Sequence, residues 1–198
     1  TRAARMLGAV AAIGATTPAF ASDALSVRPM FPYNNVWNVA IDTLPVDANS
    51  AAYVNTIGAG VAAHADFGTV YQGAPNGIPY IVVTAAQPRV PVSFTYASES
   101  DPGPYPIPTD APIEGGTQST GDRHVLIVDR DAGRLYELFA AYPNGDGSWR
   151  DGSGAIFDLN GNALRPATWT SADAAGLPIL PGLVRYEEAA AGAIRHAL

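Results

Sequence analysis

Three histidines stand in this chain, and each has a charged residue beside it: His64-Ala65-Asp66, Asp122-Arg123-His124, and Arg195-His196. On a strand, an i, i+2 spacing points both side chains to the same side. A histidine oriented by a carboxylate is the usual arrangement of a general base, and imidazole with carboxylate is also a metal-binding set. The same spacing serves an ordinary structural pair equally well. His124 is the best placed of the three. It follows a Pro/Gly-rich loop and opens an apolar strand, and strand mouths beside ordered loops are where β scaffolds build sites.

Two glutamates join it. Glu114, in "APIEGG", closes the same loop, and the glycines after it let a ligand approach the backbone. Glu137 lies among Leu135 and Phe139, where burial raises a carboxyl pKa as an acid catalyst requires; the alternative is an ion pair with Arg134 or Arg165 inside the core. Asp158 and Asp173 read more plainly, the first as a chain-turning residue and the second as a first-turn helix acid. Tyr105, Trp149, Trp169 and Tyr142 lie in or beside loops, where aromatic faces stack on sugar rings; tryptophans there also plug the ends of a core. Arg123 and Arg185 are the candidate partners for an acidic sugar.

Composition narrows the chemistry. The 198 residues are 47% hydrophobic and 15% charged, enough apolar material for one domain with a real core. Every basic residue is arginine, and the net charge is −7, so nucleic acid is not an expected partner. There is no cysteine, which removes disulfides, thiolate nucleophiles and Cys-ligated zinc. No P-loop, strand-borne G-x-G-x-x-G, H-E-x-x-H, EF-hand loop or G-x-S-x-G occurs. No cofactor is implied. The opening carries Arg2 and Arg5, an apolar run from Met6 to Ala15 and then Ala19-Phe20-Ala21, which reads as a secretory signal peptide over 1–21. The expected location is the bacterial exterior or periplasm, with no membrane contact after cleavage.

These residues must be positioned by the elements that follow, in one β-rich domain over 22–198. Asn49 or Ser50 caps a short helix, about Ala51 to Ile57, that Gly58 ends. "GIPYIVVTAA" and "RVPVSFTYAS" read as neighbouring strands. Residues 101–122 hold five prolines and four glycines and form a long ordered loop. "RHVLIVDRDAGRLYELFAAY" is a hairpin turning at Gly133. His124, Leu126 and Val128 share one face of its first strand; Leu135, Glu137 and Phe139 share a face of the second. "NGDGSWRDGSG" reads as a turn cluster and "AIFDL" as a strand. Ser171 caps one helical turn, Pro178 and Pro181 hold a corner, a helix runs from Pro181 to about Ala191, and "AIRHAL" opens a strand whose continuation lies beyond Leu198. The fold expected is mainly β, a β-sandwich or jelly roll with a few short helices.

The strings "FPYNNVWN", "GIPYIVV", "APIEGG", "GDRHVLIVDRDAGRLYELFAAYP", "SGAIFDLNGNALRP" and "WTSADAAGLPILPGLVRYEEAAAGAIRHAL" together resemble a family of uncharacterised secreted bacterial proteins. The resemblance covers nearly all of the chain after the leader. It implies secretion and a longer protein of which this is an N-terminal fragment, and it carries over no catalytic residues.

Chemistry therefore leaves three readings. The first is a secreted polysaccharide-active enzyme. As a hydrolase it pairs Glu114 with Glu137; as a lyase it uses His124 as base, with Arg123 or Arg185 neutralising a uronate. The second is a non-catalytic carbohydrate-binding or cell-surface module, using Tyr105, Trp149 and Trp169 for stacking. The third is a metal site built from His64, Asp66, Asp122, His124 and His196.

Overall fold

The structure, a computed structural model, describes residues 30–62, 68, 70–71 and 74–198. The leader and the His64–Asp66 pair lie outside the described residues. The first helix, α1 (Ser50–Ile57), forms where expected and ends at Gly58, whose φ of 109° few other residues adopt. A pair of two-residue strands follows, β1 (Val70–Tyr71) and β2 (Ala74–Pro75).

Seven further strands make two sheets. The larger runs in the order β3 (Tyr80–Val83), β5 (Val125–Asp129), β6 (Arg134–Phe139), β9 (Ser153–Asp158). In it β3 lies parallel to β5, and the other pairs are antiparallel. The smaller is β4 (Val92–Phe94), β8 (Trp149–Asp151), β7 (Tyr142–Pro143), with β4 parallel to β8. Among the described residues the architecture is mainly β and sandwich-like, with no barrel and two short α-helices, the second being α2 (Tyr186–Ala191).

The hairpin of β5 and β6 is the centre of the core. Its turn is held by Asp129, whose Oδ1 accepts the Asp131 and Ala132 N–H groups, and Gly133 takes a φ of 62°. Every residue of β5 is buried, on both faces. On one face Val125, Ile127, Tyr136 and Leu138 pack beneath Trp149, Val92 and Phe94 of the smaller sheet and Tyr105, Ile107 and Ile113 of the Pro-rich loop. On the other, Leu126, Val128, Leu135 and Phe157 pack against Met30, Phe31 and Trp37 from the start of the described chain and Ile179, Leu180 and Leu183 near its end. Burial on both faces explains the continuous apolar run "VLIV".

Several expectations change. β3 and β4 are not neighbours: each pairs in parallel with a distant strand, one in each sheet. Part of the expected turn cluster is β8, and Trp149 is a core residue at 5% exposure. Residues 172–176 form a turn rather than a helix. A 3-10 turn over Leu180–Gly182 precedes a separate α2, so no single helix runs from Pro181. "AIRHAL" forms no strand; Ala197 instead donates its N–H to the Trp37 carbonyl at 2.8 Å. Among the described residues no helix is long and apolar enough to cross a membrane.

Candidate functional site

The Pro-rich loop closes onto β5 through one residue pair. Glu114 N–H donates to the His124 carbonyl at 3.0 Å, and Glu114 Oε2 accepts from His124 N–H at 3.2 Å and lies 2.7 Å from His124 Nδ1. His124 Nε2 stands 3.2 Å from the carbonyl oxygen of Ala172. Both ring nitrogens therefore face acceptors. Only the doubly protonated ring donates to both; a neutral ring satisfies one. His124 is 7% exposed, so this ring ties the loop, the strand and the 171–176 turn together. Sequence spacing singled out Asp122 as the carboxylate partner, but the chain closes a ten-residue gap to bring Glu114 there instead.

One edge of His124 lines a cavity of about 530 Å³. Its polar wall holds Glu99, Asp122, Asp173, Ser153 and Thr170, and its aromatic wall is Tyr96 and Phe139. Among the described residues no arginine lines it. The wall over residues 169–177 is built by hydrogen bonds. Glu99 Oε2 accepts Thr170 N–H at 3.1 Å, Ser153 Oγ donates to Ser171 O at 2.6 Å, and Ser171 Oγ accepts Asp173 N–H at 2.9 Å. Arg165 braces the same wall by pairing with Asp101 and donating to the carbonyls of Glu99 and Thr170. Asp173 accepts Ala175 N–H at 2.9 Å, which turns the chain and replaces the expected helical turn. Asp122 is exposed at the rim.

The remaining candidates are distributed elsewhere. Glu137 is fully buried, and its carboxylate accepts the N–H groups of Ile179 (3.0 and 2.8 Å) and Leu180 (2.8 Å). Burial pushes its pKa up to about 7 against the lowering effect of those N–H groups. Its partner is thus backbone, not an arginine, and it does not line the cavity. The expected pairing of Glu114 with Glu137 as hydrolase acid and base has no support in this geometry.

Tyr105 is wholly buried, packed edge-on to Phe94 and Tyr136 with centroids 5.7 and 5.4 Å away, its hydroxyl donating to Asp101 O. Neither it nor Trp149 can stack on a ligand. Arg123 is also a correction. At φ 54° and 3% exposed, it donates to the carbonyls of Ala141, Thr117 and Ser119 and lies over the Tyr142 ring, which leaves no free fork for a uronate. Trp169 is half-buried beside the Arg165 guanidinium. Arg185 lines a separate small hollow with His196 and Arg195. Asp158 turns the chain by accepting Asn160 N–H. Among the described residues no group of three or more His, Asp or Glu is arranged to hold a metal ion.

Tyr96, Glu99 and Thr170 escaped the sequence reading. They lie on separate segments, after β4 and before the 171–176 turn, and no local spacing links them. Comparison with family models, curated proteins and solved structures finds no match for this chain.

Proposed function

We propose that this is an exported carbohydrate-binding module whose cavity takes a neutral or amino-substituted sugar. The observation that carries the reading is the lining of the 530 Å³ cavity: carboxylates and hydroxyls together with the rings of Tyr96 and Phe139, His124 as its single basic side chain among the described residues, and no arginine among them. The volume lies within the roughly 300–1,000 Å³ typical of small-molecule sites. Carboxylates accept hydrogen bonds from sugar hydroxyls, and Tyr96, 50% exposed, offers a ring face. An acid-lined cavity in a chain of net charge −7 disfavours uronates. Export is supported by the leader-like opening.

Calorimetric titration with neutral, amino and uronic-acid oligosaccharides tests this. Saturable binding of the first two classes is expected, with Tyr96→Ala and Asp122→Asn each weakening it about tenfold, or ~1.4 kcal/mol. Absence of binding to any of them, or unchanged affinity in both variants, removes the reading.

A second reading is a glycan-cleaving enzyme, favoured by His124, which lines the cavity and whose Nδ1 lies 2.7 Å from Glu114 Oε2. It demands that His124 Nε2 leave Ala172 O to accept a substrate proton. New reducing ends or unsaturated products from the wild-type chain, lost in a folded His124→Gln variant, are its signature.

A further inference from the structure

The second hollow, about 110 Å³, lies between α2, the last residues of the chain and the segment around Trp37, and shares no lining residue with the larger cavity. Its charged groups are Arg185, Arg195, His196 and Glu188. Glu188 is already saturated. It accepts Arg185 N–H at 3.0 Å, Nε at 3.3 Å and Nη2 at 2.6 Å, and lies 3.0 Å from His196 Nε2. Burial works to raise the Glu188 pKa, but the donors from Arg185 and His196 outweigh it and hold it down at about 2, so this carboxylate stays ionised.

That single negative charge faces two guanidiniums and an imidazole. Arg185 Nη1 is buried with no hydrogen-bond partner, although the rest of its fork is engaged. Arg195 makes no ion pair among the described residues. Asn38, also on the wall, donates its amide N–H groups to the carbonyls of Met30, Phe31 and Pro32. A desolvated guanidinium N–H without an acceptor is unfavourable, and arginine forks match the planar or tetrahedral oxygens of carboxylate, sulfate and phosphate.

We propose that this hollow binds a small oxyanion, held by Arg185 Nη1 and Arg195, with the apolar side formed by Trp37 and Met30. The anion is either free inorganic sulfate or phosphate, or the acidic group of a larger sugar.

Thermal unfolding of the full chain in sodium sulfate against sodium chloride at matched ionic strength tests it, with inorganic phosphate as a second probe. A saturable rise in Tm with sulfate or phosphate is expected, following ligand linkage. It should vanish in Arg195→Gln, an exposed position where folding is not at risk, and weaken about tenfold in Arg185→Lys, which keeps charge but loses the free N–H. An equal rise in chloride, or a rise that survives Arg195→Gln, overturns the proposal. Displacement of sulfate by methyl glucuronide assigns the anion to a sugar; failure to displace assigns it to the inorganic ion.

Discussion

Single residues here carry unusual protonation chemistry, and the clearest are buried acids. Burial pushes Asp151 up to about 8; the Tyr142 N–H and the charge of Arg150 lower it only partly, and its Oδ2 is buried without a partner. Glu137 is pushed up to about 7 for the same reason. Both folded values exceed the unfolded ones, so the folded state holds protons that the unfolded chain releases. Their contribution is fully present below about pH 4 and is lost as pH rises through 7 to 8. Urea unfolding should therefore show lower stability at pH 8 than at pH 5, by a few kcal/mol at about 1.4 kcal/mol per pKa unit. Asp151→Asn, which keeps an acceptor for Tyr142 N–H, should narrow that gap and be more stable than wild type at pH 8. An unchanged gap would show that Asp151 is ionised at little cost.

Elements are held by arginines as much as by strands. Arg123 gathers the carbonyls of Thr117, Ser119 and Ala141, and so fastens the end of the Pro-rich loop to the strand that carries His124. Arg123→Ala should cost roughly 3 kcal/mol, the scale of charge-assisted hydrogen bonds. The expected readout is new protease cleavage within 115–121 and a lower urea midpoint; resistance equal to wild type would assign the loop's order to Glu114 and the prolines alone. The hairpin around Gly133 was legible because its partners lie a few residues apart and both runs are apolar. The pairing of β3 and β4 was not. Each joins a strand more than forty residues away, and no local period encodes that choice. Arg123 likewise read as a binding residue, since a left-handed arginine surrounded by carbonyls leaves no mark in a linear string.

At the scale of the whole molecule, one sheet is covered by the other sheet and the loop on one side and by the two ends of the described chain on the other. Phe94 of the smaller sheet packs directly over Gly154 of the larger, where a Cβ would stand 2.5 Å from Phe94 Cζ and 2.8 Å from the Tyr105 hydroxyl. Gly154→Ala should thus destabilise by about 1–3 kcal/mol through overpacking, read as a lower Tm, while Gly145→Ala, at an exposed turn with open space around it, should change little. Equal effects at both positions would mean that the sheets can part without cost. By itself the sequence determined the β-rich class, the helix before Gly58, the hairpin and the ordered Pro-rich loop, because periodicity, turn residues and fixed φ angles act over a few residues. Only tertiary structure decided that Tyr105 and Trp149 are core, that Glu137 answers two backbone N–H groups, that Glu114 meets His124, and that Tyr96, Glu99 and Asp173 share a cavity. Burial and side-chain partnership depend on which distant segments meet, and that is settled by packing the whole chain at once.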